Sequence, residues 1–205
     1  MTKDLLIVFV KTPALGKVKT RLARTIGNEA ALDVYLQLIE HTERVTSGLN
    51  MDKHIYFSQN ISEDYWLNVY KTTQNGADLG ERMLNAFEDG FNKAYDKIVL
   101  IGSDLPDLNQ MLINEAFSLM DKKEVVLGPA LDGGYYLIGM NKLIPQMFLD
   151  KPWSTPLLME MTMKDLNMRG YSVSTLQTLN DIDTYEDLIN SDFYKSHEVL
   201  QEKLK

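Results

Sequence analysis

Residues 5–10 read Leu-Leu-Ile-Val-Phe-Val, six apolar positions in succession, rich in branched and aromatic side chains. The run is too short for a helix and lacks the alternation of a strand with one wet face. It reads as a strand buried on both sides, which requires layers of other elements above and below it. Pro13 and Gly16 then mark a loop, and Lys11, Lys17, Lys19, Arg21 and Arg24 gather around it with no acid among them. The whole chain carries a formal net charge of −8, so this block of positive charge runs against its background. A buried first strand that delivers cations into a loop and a helix start is one way α/β proteins hold phosphate. A solvated cluster of surface lysines is the ordinary alternative.

Two nucleotide motifs are excluded at this loop. A P-loop needs a glycine five positions before its Gly-Lys pair, followed by Ser or Thr. Lys11 occupies the glycine position, and Val18 follows Lys17. No G-x-G-x-x-G is present, so the dinucleotide fingerprint is missing as well. Phosphate bound here would be held more by lysine and arginine charge than by a run of glycine amides.

A length of 205 residues suits one domain spanning 1–205, long enough to bury a substantial core. The contents of 44% hydrophobic and 24% charged residues are those of a water-soluble globular protein. With no cysteine, disulfides and thiolate metal sites are ruled out, which fits a cytoplasmic location. His41, His54 and His197 are too scattered to suggest a zinc site. No segment approaches the ~20 apolar residues a membrane span needs. The acidic balance argues against nucleic acid as a partner, and a small anionic ligand at one basic loop remains compatible with it.

Apolar spacing predicts a helix over 29–49, a strand at 54–57 and a helix after Ser62 carrying Tyr65, Trp66 and Val69. It predicts a further helix over 78–95 and a buried strand at 98–101. A helix over 109–120 and strands at 125–127 and 135–140 follow. Pro156 is placed to open a helix, 171–176 reads as the last clear strand, and another helix follows Thr184. Alternating strands and helices imply a three-layer α/β/α, Rossmann-like arrangement around a mostly parallel sheet.

In such sheets ligands bind beyond the carboxyl ends of the strands. Asp104 emerges directly after the strand at 98–101, where a carboxylate could hold a hard cation such as Mg²⁺ or Mn²⁺. Asp183, and with less support Asp181, could be its partner from the far end of the chain. The ordinary roles are a turn residue ahead of Pro106 for Asp104 and a helix cap for Asp183. Asp132-Gly133-Gly134 permits close backbone approach to a ligand, or is simply an Asp-Gly hairpin turn. At the helix start of residues 78–82, Gly80 and Arg82 could meet a donor's base, ribose or acidic group. Trp153, beside Ser154 and Thr155, could line an acceptor pocket or anchor the core.

The chain resembles a bacterial family assigned as glycosyltransferases, in the nucleotide-diphospho-sugar transferase superfamily with the glycosyltransferase A type of fold. The resemblance rests on Phe9-Val10-Lys11-Thr12-Pro13 with Gly16-Lys17-Val18-Lys19-Thr20-Arg21-Leu22, and on Asp78-Leu79-Gly80-Glu81-Arg82-Met83. It continues through Gly102-Ser103-Asp104-Leu105-Pro106, Leu127-Gly128-Pro129 and Asp132-Gly133-Gly134-Tyr135-Tyr136. Trp153-Ser154-Thr155 and Asp181-Ile182-Asp183-Thr184 complete an ordered set reaching to about residue 188. The opening is also similar to that of guanylyltransferases that activate phospholactate. The resemblance implies that the first loop, with Lys11, Thr12, Pro13, Gly16, Lys17, Lys19 and Arg21, holds nucleotide phosphates. It implies metal ligation by Asp104 and Asp183. The chain departs from the glycine-rich G-x-G-x-R opening of sugar nucleotidyltransferases and lacks a strict D-x-D.

The expected activity is metal-dependent transfer from a nucleotide or nucleotide-sugar donor to a small-molecule acceptor, leaning to glycosyl transfer. Asp104, Lys19 and Asp132 would be the catalytic groups, with Asp132 the candidate base. Asp132, Gly133, Gly134, Trp153, Ser154 and Thr155 would meet the acceptor. The alternatives are a nucleotidyltransferase that joins an NTP to a phosphorylated acceptor, and a nucleotide-binding protein without catalysis. A homodimer is an arrangement the sequence leaves open.

Overall fold

The structure, a computed structural model, describes residues 3–204. Among them, seven strands form one sheet: β1 Asp4–Val10, β2 Asp52–Phe57, β3 Tyr70–Thr73, β4 Lys97–Ile101, β5 Val125–Pro129, β6 Tyr135–Met140 and β7 Val173–Thr175. Their spatial order is β3-β2-β1-β4-β6-β5-β7. β1 pairs in parallel with β2 and β4, β2 with β3, and β5 with β7. Only β6 runs against its neighbours, inserted antiparallel between β4 and β5. The sheet is therefore mostly parallel, as the sequence implies.

The apolar run of β1 fills both faces, because successive strand side chains point to opposite sides. Leu6, Val8 and Val10 join one core with Tyr35 and Ile39 of α2 (Asn28–Ser47) and Ile113 and Phe117 of α4 (Gln110–Leu119). Leu5, Ile7 and Phe9 join the other with Met83 and Phe87 of α3 (Leu79–Asn92) and Leu166 of α5 (Leu158–Met168). Each such fully buried side chain stabilises the fold by about 1.5–3 kcal/mol relative to exposure. A third cluster joins Leu22 of α1 (Thr20–Ile26) and Val34 and Leu38 of α2 to Ile182, Leu188 and Phe193. It docks α6 (Tyr185–Asn190) and α7 (Asp192–Lys195); α8 (Glu198–Lys203) follows.

Three local expectations are corrected. The segment after Ser62 is a run of turns leading into β3, not a helix. Trp66 and Asn68 adopt φ of 46° and 60°, which a right-handed helix cannot accommodate. The Trp66 indole is drawn into the core, where its Nε1 donates to Thr46 Oγ1 at 2.9 Å. Pro156 does not open α5, which begins at Leu158; Ser154 at φ 60° and a Thr155 hydroxyl bond to the Pro152 carbonyl keep this stretch a turn. Thr184, not Asp183, caps α6, through a capping box with Asp187.

Candidate active site

The antiparallel insertion of β6 determines where the loops converge. It brings the start of β6 to the same edge as the carboxyl ends of β4 and β5, so the turn 130–134 stands beside the loop after β4. That loop is Gly102-Ser103-Asp104-Leu105-Pro106. Asp104 Oδ2 accepts from Lys19 Nζ at 3.0 Å; the Asp104 side chain is 41% exposed and that of Lys19 only 5%. A Cβ on Gly102 would lie 3.1 Å from Asp104 Oδ1, so glycine keeps space beside the carboxylate. Lys19 holds φ 46° and ψ 46°, a left-handed conformation for a non-glycine residue at the start of α1.

The carboxyl-terminal segment supplies a second acid. Leu179 N donates to Pro129 O and Leu131 N to Leu179 O, so 179–183 lies along the end of β5. Ile182, 1% exposed, anchors the segment among the helices. Asp181 then lines the same cavity as Asp104 and Asp132, a cavity of about 260 Å³. Burial pushes the Asp181 carboxyl up to about 6, the charges of Asp104 and Asp132 add to the rise, and Lys19 opposes it. Asp183 points elsewhere and accepts from Arg21 Nη1 at 2.7 Å.

The opposite wall is the turn 130–134 packed on 153–157. Asp132 Oδ1 accepts from Gly134 N at 2.8 Å, which closes the turn. Gly133 has φ 88°, and a Cβ there would sit 2.1 Å from Pro156 O, so only glycine fits both the conformation and the contact. Met159 N donates to Gly133 O at 2.9 Å, tying α5 to the same turn. Trp153 meets Tyr135 edge-on, with ring centroids 6.3 Å apart. Ser154 and Thr155 complete this side of the cavity.

The remaining residues of interest fall into different surroundings. Lys11, Lys17 and Arg21 are exposed around the loop at 11–21, outside the cavity wall. Gly16 takes φ 70° in the turn closed by Lys17 N on Ala14 O. Thr12 fastens the loop after β1 to that after β2: its N–H donates to Ser58 Oγ and its hydroxyl to Asn60 O. Pro13 stands with Thr12 in a neighbouring groove. Gly80 is a packing glycine, since a Cβ would meet Phe148 O and Trp153 Nε1 at 2.5 Å. Arg82 turns to another groove with Tyr56 and Asp89, its Nε donating to Gly76 O at 3.0 Å. Neither Gly80 nor Arg82 is thereby brought to the Asp104 cavity wall.

One residue of the site carried no signal in the sequence beyond its place in a helical stripe. The Tyr35 hydroxyl accepts from Lys11 N at 2.9 Å, donates to Lys11 O at 2.9 Å and lies 3.2 Å from Ser103 Oγ. It therefore links the loop after β1 to the loop after β4. Burial pushes this phenol well above its ordinary range, Asp104 adds to the rise, and the Ser103 and Lys11 hydrogen bonds oppose it.

The acids that share the cavity with Asp104 are Asp132 and Asp181, oxygen donors of the kind that suit a hard divalent cation. Among the described residues no group of three or more His, Cys, Asp or Glu side chains is placed to hold a metal ion. Mg²⁺ commonly takes one or two protein carboxylates and completes its shell with water and substrate phosphate. Asp104 with Asp181 fits that smaller requirement.

A central, mostly parallel sheet with its acids and cations at one carboxyl edge defines an α/β protein of the nucleotide-diphospho-sugar transferase type. The chain belongs to the family described as "Uncharacterized protein conserved in bacteria (DUF2064)", whose model matches residues 43–155. A crystal structure from Desulfovibrio desulfuricans G20, of a provisionally assigned nucleotide-diphospho-sugar transferase, superposes with a TM-score of 0.87 at 29% identity, covering 99% of this chain and 95% of that one. A 4-diphosphocytidyl-2C-methyl-D-erythritol synthase from Anaerococcus prevotii DSM 20548 shares the fold at TM-score 0.63 and 12% identity, over 95% of this chain and 97% of its own. A CMP:2-keto-3-deoxy-manno-octonic acid synthetase complexed with CTP does so at TM-score 0.58 and 11% identity, over 92% and 96%. No curated protein matches the chain. Among the described residues no helix is long and apolar enough to cross a membrane.

Proposed function

We propose that this chain is a transferase acting on a nucleotide-activated donor, with slight preference for glycosyl transfer from an NDP-sugar. The observation that carries the reading is the Lys19–Asp104 pair, which puts the cationic loop and the mid-chain acid at one sheet edge. Lys11, Lys17, Lys19 and Arg21 surround the donor phosphates, on a loop shaped by Thr12, Pro13 and Gly16. Asp132, Gly133, Gly134, Trp153, Ser154 and Thr155 form the acceptor side.

A divalent cation, Mg²⁺ or Mn²⁺, would be held by Asp104 and Asp181, which line one cavity; Asp183, expected in this role, does not line it and pairs with Arg21. When bound, the cation neutralises charge on the donor phosphates. Lys19 places its own positive charge beside the same phosphates and orients Asp104. In glycosyl transfer, the acceptor hydroxyl oxygen bonds to the anomeric carbon. The bond from that carbon to the donor's phosphate oxygen breaks, and its electron pair leaves with the nucleoside diphosphate. The hydroxyl proton passes to Asp132, whose carboxylate lines the cavity.

A second version is nucleotidyl transfer, in which an acceptor phosphate attacks the α-phosphorus of an NTP and pyrophosphate leaves. Its support is the number of cations in the first loop, together with the synthetase of the same fold complexed with CTP. Incubation with a panel of NDP-sugars and NTPs, with Mg²⁺ or Mn²⁺, separates the versions by product. Release of nucleoside diphosphate identifies glycosyl transfer, and pyrophosphate identifies nucleotidyl transfer. Tight, metal-indifferent binding without either product identifies a nucleotide-binding protein instead.

A further inference from the structure

The cavity beside Asp104 has an apolar and aromatic body, built by Phe9, Met83, Leu100, Tyr136, Trp153 and Leu158. Its charged wall groups are Asp104, Asp132 and Asp181, and none of its lining residues is Lys, Arg or His. Lys19, which pairs with Asp104, is itself outside the lining and stands on the donor side. Three amides of the glycine turn are also committed: Gly134 N to Asp132 Oδ1, Gly133 N to Ala130 O and Leu131 N to Leu179 O. The apolar character continues outward. Leu79 is 44%, Leu131 68% and Leu157 54% exposed, on the segments that carry the lining residues.

We infer that the acceptor is an uncharged or cationic molecule with an apolar body and a hydroxyl nucleophile, not a phosphorylated one. This rests on the reading of the cavity as the acceptor half of a transferase site. A cation at Asp104 and Asp181 would serve the donor's phosphates, and beyond it the wall offers an acceptor phosphate no guanidinium or ammonium, only carboxylates that repel it. A ring or aliphatic body, by contrast, gains contact with the Trp153 indole, which is held from behind by the close approach of Gly80. The cations that do favour phosphate lie on the donor side, outside this wall. The same charge distribution weighs against nucleotidyl transfer to a phosphorylated acceptor.

The test uses the full chain and Trp153 as its own reporter, since the other tryptophan, Trp66, is 2% exposed in the core. Phenyl β-D-glucopyranoside and its 6-phosphate are titrated separately, with tryptophan emission and ligand-observed saturation-transfer NMR as readouts. The neutral glucoside is expected to change the emission of the wild type and not that of Trp153→Phe. The phosphate is expected to bind this site at least about tenfold more weakly. In Asp132→Asn the gap between the two probes should narrow. Equal or tighter binding of the phosphate, no response to either probe, or a gap unchanged in Asp132→Asn would each overturn the acceptor class. Neither readout requires turnover, so these results and the donor panel fail independently.

Discussion

Lys19 Nζ lies 3.0 Å from Asp104 Oδ2 across 85 residues of sequence, joining the loop that leaves β1 to the loop that leaves β4. The lysine reaches that carboxylate from a left-handed backbone conformation, φ 46°, with its side chain almost wholly covered. Both the conformation and the burial cost free energy that the ion pair must offset. Such an arrangement at a strand-end cleft is one that a donor's phosphate and its cation could exploit.

Replacing the lysine separates its two contributions. Lys19→Ala and Lys19→Gly both remove the charge, and each should weaken nucleotide affinity by about tenfold or more. Glycine accepts the left-handed conformation without strain, so Lys19→Gly should be more stable than Lys19→Ala by about 1 kcal/mol. Isothermal titration and thermal unfolding of the pair check this. Equal stabilities would mean that the backbone at residue 19 relaxes freely.

Tyr35→Phe removes the hydroxyl that holds both backbone groups of Lys11 and approaches Ser103. Leaving the partly buried Lys11 N–H without its acceptor should cost about 1–3 kcal/mol. If the residue also positions the donor loop, donor KM should rise while the metal dependence of turnover is unchanged. A stability loss with unaltered donor KM would confine Tyr35 to a structural role.

Much of this was legible in the sequence because it depends on local pattern. The β1 run, the spacing of α2 and α3, and the helix starts near 78 and 109 are written in short stretches. The segment after Ser62 misled because Trp66 and Val69 have helical spacing, yet tertiary contacts to Thr46 and Glu43 decide its backbone. The ordinary reading of Asp132-Gly133-Gly134 as a hairpin turn describes its backbone, with β5 and β6 pairing on either side. Asp181 and Asp183 are indistinguishable by spacing alone. Which one faces Asp104 is set by the alignment of 179–183 along β5, a long-range contact that no local pattern carries.

Asp181 makes stability depend on pH in a particular direction. Its carboxyl is raised from 3.8 to about 6 in the folded protein, so the folded state binds the proton more tightly than the unfolded one. That contribution is fully present below about pH 4 and is lost as pH rises through about 6. Discounted for partial exposure, the loss is about 1–3 kcal/mol. Without divalent metal, Asp181→Asn should therefore unfold at a higher temperature than the wild type at pH 7, with the difference vanishing near pH 4. Parallel curves across that range would remove the desolvation and charge crowding assigned to Asp181.

Gly133→Ala should be among the most damaging small substitutions in the chain. It combines a φ of 88° with a Cβ placed 2.1 Å from the Pro156 carbonyl oxygen. The cost should be about 2–4 kcal/mol, together with displacement of the Trp153 turn. Denaturant unfolding gives the first quantity and Trp153 emission the second; a variant of wild-type stability and emission would show that the two turns are not locked together.

The most direct measurement compares donor binding and single-turnover product formation in wild type and Asp104→Asn, each with and without Mg²⁺. The variant should retain nucleotide binding within about tenfold but lose about a hundredfold or more in turnover, with no stimulation by metal. Unchanged metal-stimulated turnover in Asp104→Asn would contradict the role given to that carboxylate.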